Sequence, residues 1–153
     1  MAYKIACITN ENKDSLIDFE QTIRKTEPEI WPSEFSEREY RRKLSERDFD
    51  NKNNLVLCAI LDDKIIGRCD LIIQESFMDF TKTGYIDWIY VEKAYRGKGV
   101  GKLLIEKTVE KVKMLGAEYC YLFTAANEEA QAFYKSLGIL ELEKKEVAHK
   151  FLG

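Results

Sequence analysis

Histidine is almost absent from this chain: among 153 residues only His149 carries an imidazole. A metal site of several histidines and a Ser-His-Asp relay are therefore both hard to build. His149 itself, in a terminal segment that reads as a strand, is taken as structural. Cysteine is sparse as well, with Cys7, Cys58, Cys69 and Cys120 each inside a segment that reads as a strand and no two at metal-ligand spacing. Reduced, buried thiols are expected, with neither zinc nor disulfides. No apolar run approaches the length of a membrane span, and Met1 to Asn10 lacks a signal-peptide pattern, so the expectation is a cytoplasmic protein with no membrane partner. Positive charge is not in excess either. The 24 Lys and Arg against 27 Asp and Glu leave a net −3, which argues against a nucleic-acid partner. No repeat, linker or low-complexity stretch divides residues 1–153, which are enough for one domain with its own core.

What the chain does have is a dense stretch from Tyr85 to Lys102. Tyr85 to Val91 reads as a strand, and it runs into a short loop holding Gly97, Gly99 and Gly101 at the entrance of an amphipathic helix. Alternating glycines remove side chains where a ligand must approach the backbone and let successive amides turn inward. The amides without intrahelical partners and the positive end of the helix dipole then favour phosphate. Arg96, Lys98 and Lys102 add charge of the same sign, so the stretch predicts a pyrophosphate-binding turn. It is not a P-loop: Arg96 stands where the first glycine would be, and Leu103, not Ser or Thr, follows Lys102. A dinucleotide fingerprint would need its third glycine one residue later than Gly101.

The remaining periodicities give the order β-α-α-β-β-β-α-β-α-β-β. Tyr3 to Ile8 reads as a strand. A helix is expected from near Asn12 to Thr26, and a loop over Glu27 to Phe35 holds both prolines, Pro28 and Pro32. Ser36 and Glu39 have the spacing of a capping box for a second helix to about Arg47. Leu55–Leu61 and Lys64–Gln74 form a hairpin about Asp62 and Asp63, and a polar loop follows to Thr83. The helix after the glycine loop extends to Leu115 and stops at Gly116. Glu118 to Phe123 is a strand, Asn127 caps a helix ending at Gly138, and Ile139–Lys144 and Glu146–Leu152 close the chain as two strands.

Two segments in this order carry a resemblance. Arg96, Gly99 and Gly101 make Arg-x-x-Gly-x-Gly after a strand ending at Val91, and Asn127 to Gly138 fits Asn-x-x-Ala-x-x-Phe-Tyr-x-x-x-Gly. Together they resemble the GNAT superfamily of acetyl-CoA-dependent N-acetyltransferases. The resemblance implies an α/β (α+β) domain with a mixed, mostly antiparallel sheet flanked by helices, and acetyl-CoA as cofactor. It assigns to coenzyme A the backbone of Ile89, Tyr90 and Val91, the turn Arg96, Gly97, Lys98, Gly99, Val100, Gly101 and Lys102, and Asn127, Ala130 and Tyr134. It also implies a strand pair that splays after this turn to admit the cofactor. Homodimers are common in the family, so one is possible here.

Acetyl transfer to an amine needs a neutral nitrogen, and an alkylamine with pKa about 10 is mostly protonated at neutral pH. Asp87, in an otherwise apolar strand, is the candidate general base or the residue that orders a water; its bland alternative is pairing with Arg68. The resemblance makes Tyr134 the acid for the departing thiolate. An amide of Ile89 or Val91 is the candidate oxyanion donor. The expected activity is transfer of an acetyl group to a primary amine of a small molecule by direct attack in a ternary complex. The alternatives are a protein or peptide acetyltransferase and a non-catalytic acyl-CoA sensor. Glu27, Glu29, Trp31, Glu34, Phe77, Asp79 and Phe80 lie in the loops the resemblance gives to the acceptor; acid with aromatics there suits a cationic amine, but the favoured reading is a solvated acidic loop with one anchoring Trp.

Overall fold

The computed structural model describes residues 2–31 and 33–153; Pro32, read above as fixing a loop, lies outside them. The chain divides into two compact units, Met1–Phe123 and Thr124–Gly153.

In the first unit, strands β1 (Lys4–Cys7), β2 (Asn54–Leu61), β3 (Lys64–Glu75), β4 (Lys82–Val91) and β5 (Tyr119–Leu122) form one sheet in sequence order. The first four are antiparallel and β4 pairs with β5 in parallel. The β2–β3 turn places Asp62 at φ 49° and Asp63 at φ 62°, the two positive values that match a tight turn to the twist of its strands. Helix α1 (Ser15–Thr26) begins three residues after Asn12 because the Asn12 side chain accepts the Thr9 amide at 2.7 Å and its carbonyl accepts the Ser15 amide. That local turn competes with helix at its own position. Helix α2 (Glu37–Ser45) makes half of the expected capping box: the Ser36 hydroxyl accepts the Glu39 amide at 3.2 Å, but the Glu39 carboxylate accepts from Arg42, with Nε at 3.0 Å, instead of from the Ser36 amide.

The two faces of the sheet are dressed differently. Leu16, Ile17, Phe19 and Ile23 of α1 pack with Leu44 of α2 and with Ile8, Cys58 and Ile65 on one face. On the other lies α3 (Val100–Met114), whose Leu104, Ile105 and Val112 are buried. Gly84 lets that helix come close, since a Cβ there would lie 2.6 Å from Val112 Cγ2. Cys58 and Cys69 are buried thiols, and no described cysteine is in a disulfide. Among the described residues no helix is long and apolar enough to cross a membrane, and no cluster of metal-ligating side chains forms.

The second unit contains α4 (Glu128–Leu137), capped by Asn127, whose side chain accepts the Ala130 amide at 2.8 Å, and ended by Gly138 at φ 70°. The two closing strands expected over Ile139–Lys144 and Glu146–Leu152 are not formed: residues 139–153 carry no strand, and Leu142, Val147, Phe151 and Leu152 are exposed. Alternating apolar residues permit a strand, but a strand exists only where a neighbour takes its amides and carbonyls.

Candidate active site

The site grows from the break between β4 and β5. Their pairing covers Thr83 to Ile86 against Tyr119 to Leu122 and ends there. From Asp87 to Val91 the outer edge of β4 meets no strand among the described residues. The amide of Glu92 donates back across the sheet to the Ile66 carbonyl. In an antiparallel ladder alternate residues point their polar backbone to opposite sides, so Ile89 and Val91 face the open edge. The pairing stops because β5 itself ends at Leu122. One acceptor on that edge is already engaged: the Val91 carbonyl receives Arg96 Nε at 3.0 Å.

Asp87 stands where the pairing changes register. Asp70 faces Trp88 but Leu71 faces Ile86, which leaves Asp87 as the extra residue of a bulge in β4. Bulges turn a side chain away from the regular alternation, and Asp87 is exposed. The apolar strand around it therefore does not bury this carboxylate. Pairing with Arg68 is not found either. Arg68 Nε and Nη2 donate to the two Asp70 oxygens at 2.7 and 2.9 Å, and Nη1 donates to Glu20 at 3.2 Å and to the Tyr40 hydroxyl at 3.1 Å. Burial lifts the Tyr40 phenol to about 12, so it remains a hydroxyl. Burial, and then the charge of Asp87, also raise the Tyr85 phenol.

Beyond β4 the chain passes through a 3-10 turn at Lys93–Tyr95 and enters the glycine loop. Gly97 and Gly99 have φ of 74° and 83°, with no atom within 4 Å of where a Cβ would stand. Gly99 is the N-cap of α3 and offers no side-chain cap, so the first amides of this helix keep their donors for another partner. Val100 is buried in the core, anchoring the turn, and Gly101 is already inside the helix. Space, bare amides and the positive helix end all suit the diphosphate of coenzyme A.

The basic side chains are placed less simply than expected. Arg96 turns inward: Nη1 donates to Glu27 Oε2 at 3.3 Å, Nη2 donates to Glu27 Oε1, and the guanidinium lies 5.0 Å from the centre of the Tyr90 ring. Lys98 Nζ donates to the Ala94 carbonyl at 3.2 Å, while Lys102 sits 4.0 Å from Glu106 and is about half exposed. Glu27, given above to an acceptor, is buried and also receives the Tyr90 hydroxyl. Burial alone would raise its carboxyl, but the hydrogen bonds from Arg96 and Tyr90 outweigh that and hold it below the usual range. Trp31 is engaged as well, with Arg24 lying 4.7 Å over its ring and 5.1 Å from that of Phe35. The cation–π position in this loop is filled from within. Beside it Gln21, Arg24, Lys25, Trp31, Glu34 and Phe35 help line a cavity of about 640 Å³. Phe77 and Phe80 are exposed at the β3–β4 turn, where Asp79 accepts from the Thr81 amide and hydroxyl.

The profile of the acetyltransferase (GNAT) family matches residues 17–139. The chain belongs to this family. An N-alpha-acetyltransferase 30 from Schizosaccharomyces pombe is 31% identical over 87 residues, 56% of this chain and 57% of that protein. A glucosamine 6-phosphate N-acetyltransferase from Trypanosoma brucei brucei is 32% identical over 92 residues, 59% of this chain and 60% of that one. The chain thus spans about three fifths of these relatives' length. An integron cassette protein from the mobile metagenome of V. cholerae superimposes with a TM-score of 0.84 at 21% identity, over 100% of this chain and 94% of the other. At that identity the likeness shows the fold.

In this GNAT chain the second segment of the resemblance, Asn127 to Gly138, lies in the second unit. Tyr134 and Leu137 are the buried residues of α4, and Phe133 packs its ring 5.1 Å from that of Tyr134. The Asn127 side-chain oxygen accepts the Ala130 amide. Three features escaped the sequence: the bulge at Asp87, the Glu27–Arg96–Tyr90 cluster and the Arg68 hub. None has a spacing that announces it.

Proposed function

We propose that this chain is an acetyl-CoA-dependent N-acetyltransferase acting on a primary amine of a small molecule, by direct transfer within a ternary complex. The observation that carries the proposal is the unpaired edge of β4 leading into two left-handed glycines at the uncapped start of α3. Acetyl-CoA, when bound, supplies the acyl group as a reactive thioester. The amides from Gly97 to Lys102 hold the diphosphate, with Lys98 and Lys102 adding positive charge. The outward amides of Ile89 and Val91 orient the peptide-like arm, and one of them serves as donor to the carbonyl oxygen. Asp87, exposed on its bulge, attracts the substrate ammonium and accepts its proton through a water. Tyr134 enters on the Asn127–Gly138 pattern and provides the proton for the thiolate.

The amino-sugar relative acts on a small molecule by its name, which supports the first reading. The relative named as an N-alpha-acetyltransferase supports the second reading, transfer to a peptide amine. A panel of small amines and short peptides with acetyl-CoA, read by release of free thiol, decides between them. Turnover of at least one small amine well above every peptide is expected. Peptide turnover alone would replace the small-molecule reading, and no turnover with tight coenzyme A binding would favour the non-catalytic sensor.

A further inference from the structure

Glu27 closes α1: its amide still donates to the Ile23 carbonyl at 3.0 Å, and Pro28 begins the loop that follows. Its side chain is only 8% exposed, a costly place for a carboxylate unless it has partners. Those partners come from the opposite end of the unit. Arg96, 69 residues later, gives it Nη1 and Nη2, and Tyr90 gives it a hydroxyl.

We propose that Glu27 is a positioning residue for the cofactor turn, and that Arg96 braces this turn from behind instead of touching the diphosphate. The proposal rests on the reading of the glycine turn as a coenzyme A site. Every guanidinium nitrogen of Arg96 has a protein acceptor, Nε on the Val91 carbonyl and the other two on Glu27. Arg96 immediately precedes Gly97, so fixing its side chain fixes the direction in which the chain enters the left-handed turn. The same carboxylate restrains Tyr90, which lies between the two residues that face the open edge. One buried acid therefore braces both the edge and the turn. Because the Arg96 charge is compensated, the field at the diphosphate is left to the bare amides, Lys98 and Lys102.

A thermodynamic cycle tests this, with coenzyme A as the probe in calorimetry on the full chain. Glu27→Gln and Arg96→Gln should each weaken binding by about tenfold or more, as expected for a lost charged hydrogen bond. The double variant should be no weaker than the worse single one, because the two act as a unit. Arg96→Gln should leave the salt dependence of binding as it was, and in turnover Glu27→Gln should raise KM for acetyl-CoA with kcat nearly unchanged. Additive losses, or a large loss and a flatter salt dependence for Arg96→Gln beside an unaffected Glu27→Gln, would overturn the brace and make Arg96 a direct phosphate ligand. Tyr90→Phe keeps both charges and should weaken binding to a smaller degree. If Glu27→Gln does not fold by circular dichroism, unchanged affinity in Tyr90→Phe overturns the proposal. A wild-type chain that does not bind coenzyme A removes the cofactor reading itself, and the brace with it; a wild-type chain that binds, beside an equally tight Glu27→Gln, removes the brace alone.

Discussion

Replacing Gly99 with alanine separates what the backbone needs from what a ligand needs. Gly99 holds φ at 83°, where a side chain brings its Cβ against the backbone, at about 1–2 kcal/mol. Apart from its chain neighbours no described atom lies within 4 Å of the new methyl, so the backbone strain is the whole expected effect on the folded chain. For a domain of this size each kcal/mol lowers Tm by about 2–4 °C, so a fall of roughly 2–8 °C is expected. Binding should suffer more. If the methyl stands where the diphosphate approaches, one or two charge-assisted hydrogen bonds at about 1.5–3 kcal/mol each are compromised. Coenzyme A affinity should then drop by about ten- to a hundredfold or beyond. Gly116 provides the control, since it has φ 84° and the same open space, but it sits at the other end of α3. Gly116→Ala should show the same loss in a thermal melt with affinity intact. Calorimetry in which the two variants bind coenzyme A equally would refute the assignment of the turn.

Four further outcomes are expected. Tyr134→Phe should lower kcat by about ten- to a hundredfold while coenzyme A affinity stays within a factor of two, in keeping with loss of a general acid; equal losses in both would make the tyrosine a packing or binding residue. Asp87→Asn should lower turnover and alter its pH profile without changing Tm by more than a degree or so, since the side chain is exposed; an unaltered profile moves the base elsewhere. Gly84→Ala should destabilise by about 1–3 kcal/mol, because its methyl would press on Val112 at 2.6 Å, and an unchanged melt would mean that α3 sits further from the sheet. Acid should weaken the domain through Glu27. Its carboxyl lies lower in the folded chain than in the unfolded one, so its stabilisation is present above about pH 4.3 and is lost as pH falls through the folded value. Thermal melts from pH 3 to 7 should show a steeper acid limb for the wild type than for Glu27→Gln, and parallel limbs would exclude the carboxylate as a contributor.

What was legible in the sequence was written in short spacings. The capping bond of Ser36, the aspartate turn at Asp62 and Asp63, and the glycines before α3 each need only a few neighbouring residues to specify them, and each appears as expected. The closing strands failed for the complementary reason: their alternation describes two faces but names no neighbour, and the chain from 139 to 153 has no pairing. The bulge was illegible because a one-residue slip between β3 and β4 leaves composition and alternation almost untouched.

The candidate site divides along the same line. The part proposed to hold the diphosphate is built from backbone, which only a local glycine pattern can expose, so the sequence displays it. The side chains that hold that backbone are chosen by three-dimensional proximity. Glu27 stood in a loop given to the acceptor, and Arg96 in the turn given to the diphosphate, until a separation of 69 positions along the chain was folded back and joined them. The same folding placed Arg24 over Trp31, in keeping with an anchoring tryptophan in this loop. Of the two carboxylates, Asp87 is exposed whereas Glu27 is buried and already paired with Arg96, which is why the proposed function gives the substrate ammonium to Asp87.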